Sequence, residues 1–307
     1  SVSYDIMIKI TRELFQKLFD EYKGLMMLSR ILAVGCPLLG FLFIYILDST
    51  LSRMLVFCLC LTPLIAISFI RKRLIPPGYN NDVQSVMQTM KYDFLSDNIM
   101  NMIIYKMGQC KDYPSKCHLT FLLADVYELR GQMTEAINTI YSVDRSRFKE
   151  YPSIGMSFFN SLLDIYMQFD DKENAKAAFA DAQNFIAECY DHSYVLCETA
   201  SSIMINAYMA EDRYYEALEL MKIKDEMKMK FKQTSAHKGF SEGTPLDKLD
   251  RGLTYIKLAE LYYHCGDPVT ASKYADMGGP LLTVSPHELE RANRISAMIR
   301  EAQTVRE

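Results

Sequence analysis

Two patterns of apolar residues divide this chain. Residues 31–47 and 54–70 are uncharged apolar runs of 17 residues each, separated by six residues that include Asp48 and Arg53. Further on, apolar residues come at helical intervals, in pairs of segments joined by short turns. Four times a tyrosine is followed nine residues later by an alanine: Tyr127 and Ala136, Tyr166 and Ala175, Tyr208 and Ala217, Tyr262 and Ala271. Nine residues cover the end of one helix, a tight turn and the start of the next. The recurrence predicts a series of helical hairpins, and hence an all-α fold.

The unbroken runs call for a different solvent. At 1.5 Å per residue each reaches about 26 Å, a little short of a hydrocarbon core of roughly 30 Å. The first is long enough if it starts at Leu25 and Arg30 extends its charge to the interface, the second if it starts at Leu51. Neither has the polar stripe that a core helix of a soluble protein would carry. A transmembrane helical hairpin over residues 25–73 is expected, with Pro37 and Pro63 tolerated inside it. The runs hold no acid or base, which argues against a transporter.

Basic residues set the orientation. Lys9, Arg12, Lys17, Lys23 and Arg30 precede the first run, Arg71, Lys72 and Arg73 follow the second, and the loop holds only Arg53. Both termini are therefore expected in the cytoplasm, with Arg30, Arg71, Lys72 and Arg73 at the membrane surface. A bacterial plasma membrane is the expectation and an organelle outer membrane the alternative. Within residues 1–24, Ile6, Ile10, Leu14 and Leu18 oppose charges of both signs. This predicts an amphipathic helix that packs on the C-terminal part or lies on the membrane. Pro76, Pro77 and Gly78 then break the chain.

The hairpins share more than two residues. The first places Leu123, Tyr127, Gly131, Ala136 and Ile140 at regular intervals. The second has Leu162, Tyr166, Asp170, Ala175 and Phe179, the third Met204, Tyr208, Asp212, Ala217 and Met221, the fourth Leu258, Tyr262, Gly266, Ala271 and Ala275. Gly or Asp stands at each turn, where left-handed backbone is needed and Asp tolerates it better than most residues. The pattern resembles the tetratricopeptide repeat, a helical hairpin that stacks into a solenoid. The tyrosine intervals of 39, 42 and 54 exceed the usual repeat of about 34, and the chain has no Trp, so the array is irregular. Residues 74–110 read as a linker and a degenerate hairpin, 111–285 as four repeats, and 286–307 as a capping helix. In that last helix Ser285 is the expected N-cap, and Glu288, Glu290, Arg291, Arg294 and Arg300 are expected to face solvent.

The resemblance implies a concave groove lined by the first helix of each hairpin. Its inward positions would be Phe121, Asp125 and Glu128, then Asn160, Asp164 and Met167, then Asn206 and Met209, then Ile256, Glu260 and Tyr263. Such a surface is acidic and amide-rich and lacks a Lys/Arg clamp for a carboxylate. It favours a basic or neutral peptide or protein partner. The longest interval leaves an insertion near residues 222–245. There the alternation in residues 227–232 fits a strand or an extended helix, and Lys222, Lys224, Lys228, Lys230, Lys232 and Lys238 suggest a solvated stretch, an anionic lipid contact or an acidic partner.

Charge and chemistry narrow the function. Residues 1–73 carry a net +4, from nine Lys/Arg and five Asp/Glu, and the remainder a net −8, from 25 and 33. A nucleic-acid binder would be basic throughout. The eight cysteines include no CxxC pair, and reduced thiols are expected. Cys189, His192 and Cys197 would make three metal ligands without an obvious fourth, so no metal or other cofactor is expected. No nucleotide, hydrolase or metalloprotease motif occurs. The chain is expected to be a non-enzymatic, membrane-anchored adaptor. An accessory subunit of a membrane complex and a peptide-sensing immunity-type protein are the alternatives.

Overall fold

Helix boundaries follow the capping chemistry of the sequence. The computed structural model describes residues 80–189, 194–234 and 243–304, and every regular element among them is helical. Apart from residues 230–234 they belong to one compact unit. The helices are α1 (Asn81–Met90), α2 (Asp97–Gln109), α3 (Tyr113–Leu129), α4 (Met133–Tyr141), α5 (Pro152–Gln168), α6 (Lys172–Cys189), α7 (Tyr194–Ala210), α8 (Tyr214–Thr234), α9 (Pro245–His264), α10 (Pro268–Gly278) and α11 (Pro286–Thr304). Asn80, Ser96, Asp112, Thr244 and Asp267 each accept a backbone N–H from the first turn of the helix that follows, a cap worth about 1 kcal/mol. The expected amphipathic helix and transmembrane hairpin lie outside the described residues. Within them, no helix is long and apolar enough to cross a membrane.

The four predicted turns share one geometry. Gly131, Asp170, Asp212 and Gly266 all have left-handed backbone, with φ of 76°, 59°, 59° and 83°. In each turn the next residue's N–H returns to the tyrosine carbonyl, from Gln132 to Tyr127, Asp171 to Tyr166, Arg213 to Tyr208 and Asp267 to Tyr262, at 2.8–2.9 Å. The left-handed residue itself donates to the carbonyl after the tyrosine. This closure satisfies carbonyls that the helix end would leave unpaired. The four alanines that open the second helices are fully buried, because any larger side chain would hold the paired helices apart.

The hairpins do not run out as an open row. One core joins α3 to α7, and a second joins α7, α8 and α9. A third unites α1, α2 and α3 with α9, α10 and α11, the two ends of the array. Direct contacts seal this closure. Ser285 stands at the N-cap position of α11, its carbonyl accepting from Leu289 N–H, and its hydroxyl donates to the Leu129 carbonyl at 3.1 Å; Leu246 N–H donates to Lys91 O at 3.3 Å. His287 stacks on Phe169 with ring centres 5.1 Å apart. The last helix is therefore not wholly a solvent-facing cap: Glu290, Arg294 and Arg300 are exposed, but Glu288 and Arg291 turn inward. The stretch left open between strand and helix is helical, since α8 runs on to Thr234.

The same contacts give a stability test. A Cβ at Gly131 would stand 3.1 Å from His287 Nδ1, whereas one at Gly266 would meet nothing within 4 Å. Gly266→Ala is expected to cost about 1–2 kcal/mol from its backbone alone, and Gly131→Ala more, because His287 must also shift. Denaturant unfolding of the two variants measures the difference. Equal losses would mean that His287 does not brace the first turn.

Candidate functional site

The helix α3 meets neighbours on two sides and leaves a third face open. Cys117, Phe121 and Ala124 enter one core, Leu119, Leu123 and Val126 another, and Asp125 and Glu128 face a cavity of about 410 Å³. The opposite walls come from α5, α7, α8, α9 and α11. On α5, Asn160, Asp164, Met167 and Gln168 lie one turn apart, and Asp250, Thr254 and Lys257 form a similar stripe on α9. Helical spacing puts each set on one face, which is how polar groups from six helices converge. Asp250 is exposed and marks the rim.

A polar network ties three of the walls together. Lys257 Nζ donates to Asp164 Oδ1 at 3.2 Å and to Asn206 Oδ1 at 2.9 Å. The Asn206 amide donates to Asp164 Oδ1 at 2.7 Å, and Asn160 Nδ2 donates to Asp164 Oδ2 at 3.0 Å. Farther round, Arg291 pairs with Glu260 at 3.1 Å and lies 3.9 Å from Glu288. Lys224 donates to the Ser202 hydroxyl.

The carboxyls divide by what surrounds them. Burial pushes the Asp164 carboxyl up, but the Lys257 ammonium and the Asn206 amide outweigh it and hold the group below the usual carboxylate range. Burial pushes Asp125 up to about 7, with the Asp164 charge adding to it. Glu128 is raised well above its ordinary value by burial and then by Asp125, Asp164 and Glu288, against which Lys257 acts weakly. All three side chains are part-buried on the cavity wall.

Most sequence-predicted groove positions come together here. Asp125, Glu128, Asn160, Asp164 and Met167 line the cavity, Asn206 lies beneath it, and Glu260 holds the lining Arg291. Phe121, Met209 and Ile256 are corrected: they are buried in the cores between helices, because α3, α7 and α9 each contact several neighbours. Tyr263 packs on the third core and meets the His264 ring edge-on at 5.1 Å. The walls also carry Lys224, Lys257 and Arg291, which are not among the expected groove positions. The polar stripe of Asp250, Thr254 and Lys257 was a usable signal for Lys257. Nothing in the sequence signals that α11 folds back and turns Arg291 inward.

None of the lining residues is a histidine or cysteine. Among the described residues no cluster of His, Cys, Asp and Glu could hold a metal ion. No protein-family model matches the chain, and no curated protein matches it.

Proposed function

We propose that this chain is a membrane-anchored adaptor of the tetratricopeptide type that receives a segment of a partner protein in the cavity. The observation that carries it is the convergence of polar side chains from six helices on one space of about 410 Å³, a volume typical of binding sites. The repeated turn geometry supports the family resemblance, and the apolar runs at residues 31–47 and 54–70 support the anchor. Anchoring would confine the cavity to the membrane surface and raise its effective concentration towards membrane partners. Lys224 and Ser202 are hydrogen-bonded in the cavity wall, and the Ser202 hydroxyl is itself committed to the Glu198 carbonyl, which favours binding over catalysis.

A photo-crosslinker placed at Thr254, on the cavity wall, is expected to capture a polypeptide in cells, while one at the exposed Glu301 captures none. Equal capture from both positions would remove the cavity from recognition. The chain is also expected to stay with membranes through alkaline carbonate washing, and its release would sink the anchor. A role as an accessory subunit of a membrane complex is favoured by the exposed Tyr92, Ile104 and Tyr105, on and beside α2. Stoichiometric membrane partners in mild detergent would distinguish it.

A further inference from the structure

The last turns of α2 carry a surface unlike that of the other helices. Asn80 Nδ2 donates to Cys110 Sγ at 3.8 Å and Lys106 pairs with Asp82 at 2.7 Å, so these turns lie beside the start of α1. On them Ile104 and Tyr105 are 49% and 65% exposed. Every exposed residue of α2 from Asn98 to Gln109 is uncharged, and the half-buried Met100 and Met102 flank that face. A helix face that meets water normally carries charge. Just past α2 the exposed Lys111 and Lys116 follow. The Tyr113 hydroxyl bonds to Asp144 O at 2.6 Å, and Arg147 lies over its ring at 4.4 Å, which brings the exposed Lys149 to the same end of the helices. Among the described residues none of Lys111, Lys116 and Lys149 pairs with an acid. The net −8 of residues 74–307 falls wholly beyond residue 111, since residues 74–111 hold three acids and three bases.

We infer that this end of the helices docks on an anionic lipid surface, with Ile104 and Tyr105 entering the interface and Lys111, Lys116 and Lys149 facing lipid headgroups. The inference rests on the membrane anchor proposed above and adds a second, peripheral lipid contact to it. Ten residues join Ile70, the end of the second apolar run, to Asn80, and fully extended they reach at most about 35 Å. Arg71, Lys72 and Arg73 open that link with the basic residues that suit a headgroup layer. The link arrives at Asn80, which touches Cys110 at the foot of α2. Any bilayer that holds the run is therefore within reach of Ile104 and Tyr105.

The chemistry of the face suits lipid. A tyrosine at a membrane–water interface buries its ring and keeps its hydroxyl hydrated, which is why the residue is enriched there. A helix lying in that layer buries its apolar face by about 5–10 Å. Lysines without acidic partners lose no ion pair on meeting anionic lipid, and each adds about fivefold to docking. A protein partner is the weaker choice for this face. Two apolar side chains supply little of the roughly 800 Å² that each side of a stable protein interface buries. A surface already tethered to the bilayer needs far less, because docking is then intramolecular.

The test uses the full-length chain in phosphatidylcholine vesicles, with and without phosphatidylserine. The sequence has no tryptophan, so Tyr105→Trp gives a single reporter on the face, and Ile104→Trp repeats the measurement one residue away. Tyr215→Trp is the control: Tyr215 is 64% exposed beside the third turn, and the first turn lies at the opposite end of α2, where Arg130 pairs with Asp97. Lipids brominated near the headgroup end of their acyl chains are expected to quench the Tyr105→Trp emission about twofold, as the interfacial depth allows, and to leave Tyr215→Trp unchanged. Phosphatidylserine is expected to deepen the quenching, and K111E/K116E/K149E to cancel that gain. An unquenched Tyr105→Trp on a chain that stays with the vesicles would overturn the docked end and leave the anchor standing. Release of the chain from the vesicles would overturn both. Equal quenching at Tyr105→Trp and Tyr215→Trp would overturn the choice of this end. Quenching indifferent to phosphatidylserine and to the lysine variant would overturn the anionic surface. Emission shielded from brominated lipid and from aqueous iodide alike would show the face covered by protein, and so overturn lipid as its occupant.

Discussion

The double variant D125N/E128Q is expected to be more stable than the unsubstituted protein by about 2–4 kcal/mol at pH 8 and nearly equal to it at pH 4. The direction follows from which state binds protons more tightly. Asp125 is pushed up to about 7 in the folded protein, against an ordinary value near 3.9 when unfolded. The stabilisation from its tighter proton binding is fully present below about pH 3.9 and is lost as pH rises through about 7. Glu128 is shifted the same way and adds to the loss. Replacing both by amides removes the ionisation and therefore the loss, while size and shape hardly change. Full conversion of the Asp125 shift would give about 4 kcal/mol, and water in the cavity lowers it. Urea unfolding followed by circular dichroism at the two pH values measures the effect. A gain of the same size at both would mean that the carboxyls carry no ionisation penalty.

What the sequence made legible was local. A left-handed residue five positions before a small one is specified by a few neighbouring side chains, so Gly131, Asp170, Asp212 and Gly266 could be placed from spacing alone. The alanines were legible for the same reason. Closure of the array was not. It depends on pairings such as Ser285 with Leu129 and His287 with Phe169, which join distant parts of the chain and leave no periodic trace. Closure also explains the errors at the site. A helix packed on two sides has apolar residues round most of its circumference, so no single stripe says which of Phe121, Asp125 and Glu128 faces inward. Charge decided it: Phe121 went to the core, and the carboxyls were left at the cavity wall. The mixed sign of the lining escaped for the related reason that Arg291 and Lys224 reach the cavity from helices outside the four that the family resemblance assigns to a groove.

The other large effect is expected from Lys257→Met, a loss of about 2–4 kcal/mol at pH 7. Methionine keeps the apolar stem but removes the only ammonium bonded to both Asp164 and Asn206 among the described contacts. Asn206 is fully buried, so its carbonyl oxygen would lose its partner without gaining water. Asp164 would lose the charge that most strongly opposes its burial, and its carboxyl would rise from below the ordinary range. In the unsubstituted protein the stability that Asp164 contributes is present above its unfolded value near 3.9 and is lost as pH falls through its lower folded value. In the variant that contribution reverses sign, so the deficit against the unsubstituted protein shrinks on acidification as Asp164 takes up a proton. Asp164→Asn on the Lys257→Met background removes the stranded charge and is expected to recover about 1 kcal/mol or more, a coupling readable from a double-mutant cycle. If the two substitutions add without coupling, Lys257 and Asp164 do not act as a pair, and the cavity wall is held by packing alone.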